Sequence, residues 1–130
     1  MNGFTLIEML IVVLLIGILS VRAIPRYQER IALTELQAEK KFAFTIWEGL
    51  ETYAKYQKEI TGMDSWPANP LAVLGRTRGV IVTFTLGIPD EDNEWQFDGT
   101  RLYHRRMNNE IWYFNYNASN FTLSELPVKL

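Results

Sequence analysis

The sequence predicts an α+β protein in which a long N-terminal helix packs on a small antiparallel β-meander of about four strands. Residues 9–19 contain no charged or strongly polar side chain, and apolar residues then recur at helical spacing as far as residue 61. Residues 80–130 instead hold short β-branched and aromatic segments separated by Gly, Pro, Asn and Asp. A helix with one apolar face covers one face of such a sheet, so each element buries the other.

The composition leaves room for one compact domain beside the apolar N-terminus. The chain has 130 residues, with 13 basic and 15 acidic side chains and a formal net charge of −2. That balance provides no global positive field that would attract nucleic acid. The chain has no cysteine, so its core and its hydrogen bonds must stabilise it without disulfides.

Residues 4–24 are predicted to form the transmembrane half of the N-terminal helix. At about 1.5 Å per residue, a helix of this length crosses a hydrocarbon core of about 30 Å. Only Glu8 and Arg22 are charged within it, and Arg22 lies near the end, where its charged head reaches the interface. The arginines at and after this end would, by the positive-inside rule alone, place the following domain in the cytoplasm.

Glu8 is the unusual residue of this segment. An ionisable side chain inside an apolar helix is costly and by default marks a functional position that has a partner. The alternative is a carboxyl group that stays protonated near the membrane interface, because only about one turn separates Glu8 from the start of the chain. The residues alone favour the functional interpretation without naming the partner.

Residues 3–8, with the sequence GFTLIE, and the apolar run after them resemble the prepilin cleavage and methylation motif of type IV pilins and pseudopilins. The resemblance implies that a membrane aspartic peptidase, prepilin peptidase, cuts after Gly3 and that the new N-terminal Phe4 is N-methylated. It implies that Glu8, the fifth residue of the mature chain, acts in assembly. It also places Pro25 where pilins often have a proline that kinks or melts the helix.

The chain departs from the family pattern at two points. The leader, residues 1–3, is short and lacks the usual Lys or Arg, and Arg22 interrupts a segment that is normally apolar. The short leader explains why the charge rule misplaces the domain that follows. The resemblance implies a single-pass protein of the inner membrane with a periplasmic head, which enters a pilus or pseudopilus after assembly.

Residues 25–61 are predicted to form the amphipathic half of the helix, because apolar positions recur three to four residues apart. These apolar positions are Leu33, Leu36, Ala43, Ile46, Leu50, Tyr53 and Ala54. The positions between them carry the charged residues Glu35, Glu39, Lys40, Lys41, Glu48 and Lys55. Pro25 lacks the N–H of a helical hydrogen bond, so the helix should bend or open there. Gly62 and Pro67 predict that it stops near residue 60.

Residues 62–79 are predicted to form a connecting loop, because Gly, Pro, Asn and Ser interrupt every periodic pattern there. We expect this loop to pack one aromatic anchor, Trp66. The sheet head follows over residues 80–130. Its first strand covers residues 80–86, which are β-branched and alternate in their second half.

Turn residues divide the rest of the head into antiparallel hairpins. An Asp-Gly pair at 98–99 predicts a type I′ turn between two strands, and an Asn pair at 108–109 predicts the next turn. Alternate residues of strand 111–116 point to opposite faces. Three aromatic residues therefore share one face, namely Trp112, Phe114 and Tyr116. A third turn at 117–120 leads into residues 121–123.

The head offers little chemistry. His104 is the only histidine, it lies on a predicted strand, and the chain has no Gly-rich phosphate loop and no metal-ligand spacing. A surface or half-buried structural role is therefore favoured for His104. Residues 90–94 offer several oxygen ligands, and some pseudopilins bind calcium in such loops. They lack EF-hand spacing, so a solvated acidic turn is favoured.

Five arginines raise the question of a basic face that holds DNA, as some minor pilins do. The five are scattered along the head and offset by acidic residues, so a salt-bridged surface is favoured. They are Arg76, Arg78, Arg101, Arg105 and Arg106.

The predicted function is that of a structural assembly subunit, a minor pilin or a pseudopilin, with no cofactor, no metal and no enzymatic activity. The resemblance implies prepilin peptidase, other pilin or pseudopilin subunits and the inner membrane as partners, with nucleic acid disfavoured. The alternative is a binding module that the filament presents, either an adhesin or a DNA-uptake receptor.

Overall fold

The computed structural model describes residues 3, 5–75 and 80–130. The chain divides into two compact units, residues 1–35 and 36–130. One helix, α1, covers Leu6–Thr61, and six strands form a mostly antiparallel sheet. The predicted α+β class is confirmed.

Helix α1 ends where a glycine permits the chain to turn away. Gly62 has a φ of +81°, and its N–H donates to the carbonyl of Lys58 at 2.9 Å. This left-handed conformation is the usual way to close the last turn of a helix, and glycine adopts it without a Cβ penalty. Pro25 lies inside α1 with helical residues on both sides, and the bend or opening there stays a prediction.

The sheet has more strands than the four that the sequence predicts. The strands are β1 (Ile81–Thr83), β2 (Glu94–Phe97), β3 (Arg101–Arg105), β4 (Ile111–Asn117), β5 (Thr122–Leu123) and β6 (Val128–Lys129). The order across the sheet is β1-β2-β3-β4-β5, and β6 pairs with β4 beside β5. Strand β6 has only two residues, too few for an alternating pattern to be visible in the sequence.

Strand β1 corrects the prediction in both length and direction. It covers three residues instead of 80–86, and it pairs in parallel with β2, with Ile81 opposite Glu94. The ladder stops after Thr83, and beyond it the side-chain amide of Gln96 donates to the carbonyl of Thr85 at 2.9 Å. The residues after Thr83 therefore form a loop that returns the chain to the same end of the sheet, as a parallel pair requires.

The predicted hairpin at 98–99 joins β2 to β3, but its turn type differs. Asp98 donates its N–H to the carbonyl of Arg101, so Gly99 and Thr100 are the two central residues. Gly99 has a φ of +109°, whereas Thr100 has no positive φ. A type I′ turn needs positive φ at both positions, so the prediction of that type is wrong. The Asp98 carboxylate stabilises the turn by accepting the N–H groups of Thr100 and Arg101.

The core lies between α1 and the sheet within residues 36–130. Ile46 and Leu50 are fully buried on one face of the helix. Burial of each side chain stabilises the folded state by about 1.5–3 kcal/mol. From the sheet, the buried residues include Trp95, Phe97, Leu102, Phe114 and Tyr116. The predicted alternation is confirmed in the second half of β4, where Phe114 and Tyr116 are buried while the residue between them is exposed; residues 111–113 are all half-buried.

The connecting loop packs its predicted anchor. Trp66 is buried and stacks on Tyr116 with 5.8 Å between ring centroids. The Tyr116 hydroxyl donates to the carbonyl of Pro67. A 3₁₀ helix at Pro70–Val73 follows, and residues 76–79 lie outside the described part of the chain.

We expect a chain that lacks residues 4–30 to be a soluble, folded monomer, because the described core lies within residues 36–130. Circular dichroism and size-exclusion chromatography would test this. A fragment that is unfolded, or that is recovered only with membranes, would contradict the division into anchor and head.

Candidate functional site

Thr5 and Glu8 close the N-terminus of α1 with a reciprocal pair of hydrogen bonds. The Glu8 N–H donates to Thr5 Oγ at 3.2 Å, and the Thr5 N–H donates to Glu8 Oε2 at 3.3 Å. This is a capping box, which satisfies two backbone donors that the first helical turn leaves unpaired. The sequence carries its signature, Thr-x-x-Glu, at residues 5–8. Glu8 is predicted to act in assembly and, in addition, caps the helix, a second role that the prediction from the sequence did not include.

Residues 5–34, which we call the anchor segment, expose their apolar side chains. No side chain of residues 5–34 is buried, and large apolar residues such as Leu6 and Leu19 are 87% and 68% exposed. Helix α1 contains a window long and apolar enough to cross a membrane. An exposed apolar surface of this size is typical of a segment that contacts lipid or another protein.

Of the two residues at the predicted cleavage junction, the structure describes only Gly3. Gly3 is exposed, and a Cβ added there would meet no atom within 4 Å. A Cβ at position 3 therefore meets no clash with the described residues beyond its chain neighbours. Phe4, the predicted methylation site, lies outside the described residues.

The head contains a buried polar cluster that joins α1 to β3 and the residue after it. Glu39 of α1 is 1% exposed and faces His104 and Arg106, which are 5% and 4% exposed. Glu39 Oε1 accepts from Arg106 Nε at 2.5 Å and lies 3.1 Å from His104 Nδ1, while Glu39 Oε2 accepts from Arg106 Nη2 at 3.2 Å. His104 Nε2 lies 3.0 Å from Asn93 Oδ1.

Electrostatics keep the Glu39 carboxyl ionised. Burial by itself raises the pKa of Glu39, but hydrogen bonds and charge from His104 and Arg106 outweigh it, so the pKa is lowered from its ordinary value of 4.5. A buried carboxylate is tolerable when it is paired and hydrogen-bonded in this way.

Two sequence expectations are corrected by this cluster. His104 is buried, with its ring stacked on Trp95 at 4.6 Å, and is not a surface or half-buried residue. Glu39 was assigned to the charged positions between the apolar ones, yet it is buried. Its spacing of four residues before Ala43 places it on the core face, and that signal was present in the sequence.

The disfavoured alternative, a basic face that holds DNA, is not assembled by the described arginines. Arg106 is buried, with its guanidinium 4.0 Å from the Trp112 ring centroid. Arg105 Nε lies 3.7 Å from Asp92 Oδ1, and Arg101 lies over the Tyr113 ring at 4.3 Å. The other two arginines, Arg76 and Arg78, lie outside the described residues.

Residues 90–94 form a structured loop whose last carboxylate points inward. Glu94 is 3% exposed, and its Oε2 accepts the N–H groups of Asp90 and Glu91 at 2.8 Å each. Its Oε1 accepts from the hydroxyl of Thr83 at 2.5 Å. The expected solvated turn therefore describes Asp90, Glu91 and Asp92, which are exposed, but not Glu94. Within residues 5–75 and 80–130, no cluster of three His, Asp or Glu side chains is placed to hold a metal.

The structure defines a class of protein with two parts. An exposed, capped apolar helix comes first, and a packed helix-and-sheet unit follows it. In such proteins the apolar helix is a surface for contact with lipid or with neighbouring helices.

The model of the prokaryotic N-terminal methylation motif matches residues 1–21. A fimbrial protein of Moraxella nonliquefaciens is 50% identical over 51 residues, which cover 39% of this chain and 30% of that protein. The chain thus spans less than a third of the length of this relative. No solved structure matches the chain. The motif and the fimbrial relative together confirm the resemblance to type IV pilins.

Proposed function

We propose that this chain is a structural subunit of a type IV pilus or of a type II secretion-like pseudopilus. The observation that carries this proposal is the anchor segment, in which the methylation-motif match covers the start of an apolar helix with no buried side chain between residues 5 and 34. Before assembly, lipid covers this helix in the inner membrane, and the head lies in the periplasm. In a filament, the helices of neighbouring subunits take the place of lipid.

Four residues near the N-terminus have separate roles in this proposal. Prepilin peptidase cuts after Gly3, and methylation then modifies the new amino group of Phe4. Glu8 pairs with the methylated amine of a neighbouring subunit or of its own chain during docking. Pro25 provides a point where the helix bends as subunits pack.

The polar cluster of the head supports a structural role rather than a catalytic one. All three ionisable members, Glu39, His104 and Arg106, are at least 95% buried, so no substrate reaches them. Their side chains contact one another, Asn93 and the rings of Trp95 and Trp112. The cluster therefore ties the helix to the sheet and does not form an open site.

Processing provides the direct test of the proposal. The mature chain is expected to lack residues 1–3 and to carry one added methyl group, which intact-mass spectrometry detects. A Gly3→Val chain should stay uncut in the membrane, because the peptidase needs a small residue before the scissile bond.

The structure shows no obstacle to this variant, since a Cβ at position 3 meets no described atom within 4 Å beyond its chain neighbours. A Gly3→Ala chain is the matched control and should still be cut, at least in part. Mature-length protein from Gly3→Val would contradict the role of Gly3, and a wild-type chain of unprocessed mass in sheared filaments would contradict the proposed processing.

A further inference from the structure

An open apolar groove lies on the head between α1 and the end of β5. It has a volume of about 570 Å³, and Phe44 and Trp47 of α1 and Leu123 of β5 contribute its apolar wall. Phe44 and Trp47 are 56% and 42% exposed and stack on each other with 6.0 Å between ring centroids. Two stacked aromatic residues on the outside of a helix do not contribute to the core of their own chain. We call this surface the Phe44–Trp47 groove.

The groove carries a basic rim. Lys40 and Lys41 lie along it, and Glu125 is the acidic residue among those that line it. A complementary ligand surface therefore combines apolar side chains with more than one acidic group.

The loop between β1 and β2 presents such a surface, which we call the 84–92 loop. Phe84, Leu86 and Ile88 are 59%, 66% and 52% exposed. Asp90 and Glu91 follow them in the chain, and both are exposed. Three apolar side chains and two acidic ones thus occur within eight consecutive residues.

The 84–92 loop is held in place by its backbone. Gly87 donates to the carbonyl of Phe97 at 3.0 Å, and Gln96 donates to that of Thr85. The buried Glu94 carboxylate accepts the two N–H groups of residues 90 and 91. The apolar side chains are therefore displayed by an ordered loop, and preorganisation of this kind lowers the entropy cost of binding.

The two surfaces lie at opposite edges of the sheet. The loop follows β1, at one end of the strand order, and the groove borders β5, at the other end. With strands about 4.8 Å apart, four spacings separate the edges by about 19 Å. One head therefore cannot close the contact on itself, whereas two heads side by side can.

We propose that the 84–92 loop of one copy docks in the Phe44–Trp47 groove of the next copy. The apolar residues of the loop cover the two aromatic rings, and Asp90 and Glu91 face Lys40 and Lys41. Because the two surfaces differ, the contact is head-to-tail and repeats from copy to copy instead of closing as a symmetric dimer. An open series of this type is what a filament requires.

This inference rests on the proposed function and adds the head surfaces through which a second copy is recognised. The patches are small, so the contact is weak between free heads. Packing of the N-terminal helices holds the heads together and raises the effective concentration of one surface near the other.

Cross-linking of the full-length protein in sheared filaments tests the inference. The chain has no cysteine, so Leu86→Cys and Glu125→Cys introduced together provide one reactive thiol on each surface. A short bismaleimide is expected to give a ladder of dimers, trimers and larger species. Each single-cysteine variant gives dimers at most, and a Met107→Cys/Glu125→Cys pair serves as the control, because Met107 is 65% exposed and lies outside the loop.

Charge reversal provides a second readout. Lys40→Glu/Lys41→Glu and Asp90→Lys/Glu91→Lys should each reduce the ladder of the Leu86→Cys/Glu125→Cys chain several-fold, and the four reversals combined should restore it. A ladder no stronger than that of the control pair, in filaments that contain the protein, would overturn the inference and leave the proposed function standing. Absence of the wild-type protein from filaments would overturn the proposed function and the inference with it.

Discussion

Replacement of Glu8 by valine is expected to abolish incorporation into filaments while membrane insertion and cleavage after Gly3 continue. The variant removes a costly polar group from an apolar segment, so insertion should be at least as efficient as for the wild type. The scissile bond is unchanged. In the proposed assembly, the Glu8 carboxylate pairs with the methylated amine of Phe4 in low dielectric, where separated charges are left desolvated. Without the carboxylate, an incoming subunit has nothing to hold that amine.

The capping box introduces a competing explanation, because valine also removes the acceptor of the Thr5 N–H. Glu8→Gln separates the two roles. Glutamine at this position of a capping box retains the hydrogen bond to the backbone but carries no charge. If docking needs the charge, Glu8→Gln should fail to assemble as completely as Glu8→Val. If the cap is what matters, Glu8→Gln should assemble like the wild type.

The measurement uses each variant as the sole copy, with cleavage scored by intact mass and incorporation scored by shearing. Thr5→Ala is a further control, because it removes the other half of the cap and leaves the Glu8 charge in place. Cleaved Glu8→Val protein that enters filaments at wild-type levels would show that Glu8 has no docking role in this chain.

Replacement of Glu39 by glutamine is expected to destabilise the head strongly. Glutamine keeps the shape of the side chain, but one of the two oxygens that accept from Arg106 becomes an amide donor. It also removes the negative charge that neutralises the Arg106 guanidinium. Breaking a buried ion pair by removing one partner typically costs about 3–5 kcal/mol, because the other charge stays buried without compensation. The cluster is buried on all three ionisable side chains, so solvent does not screen this loss.

Denaturant unfolding of the full-length protein in detergent, followed by tryptophan fluorescence, measures the effect. Glu48→Gln is the matched control, since Glu48 lies exposed on the same helix and should change the free energy of unfolding by no more than about 0.5 kcal/mol. A loss for Glu39→Gln that equals the loss for Glu48→Gln would show that the buried pair contributes nothing.

The pH dependence of stability should follow the same residue. The pKa of Glu39 is lowered from 4.5 in the folded state, so the ionised carboxylate stabilises the fold above about pH 4.5. This contribution is lost as the pH falls through the lowered value. Glu94, Asp98 and Glu110 also have lowered pKa values, so the wild type and Glu39→Gln should both weaken in acid. The difference between their unfolding free energies should shrink as the pH falls below 4.5.

Local sequence patterns determined much of this protein. The apolar run, the motif at residues 3–8 and the amphipathic spacing after them predict a long helix, and the alternation in strand 111–116 predicts which face of β4 is buried. Each of these features depends on residues that are close in sequence, because helix and strand periods repeat within a few positions.

Tertiary structure alone decided the contacts between distant segments. Glu39 lies 65 residues before His104 and 67 before Arg106, and no local pattern states that these three residues meet. Three further features also depend on contacts between segments that are distant in sequence. They are the parallel pairing of β1, the burial of the Glu94 carboxylate, and the placement of the 84–92 loop and the Phe44–Trp47 groove at opposite edges of the sheet. The helix or strand period in the sequence shows which side of an element is apolar. The partner that covers that side depends on how all the elements pack together.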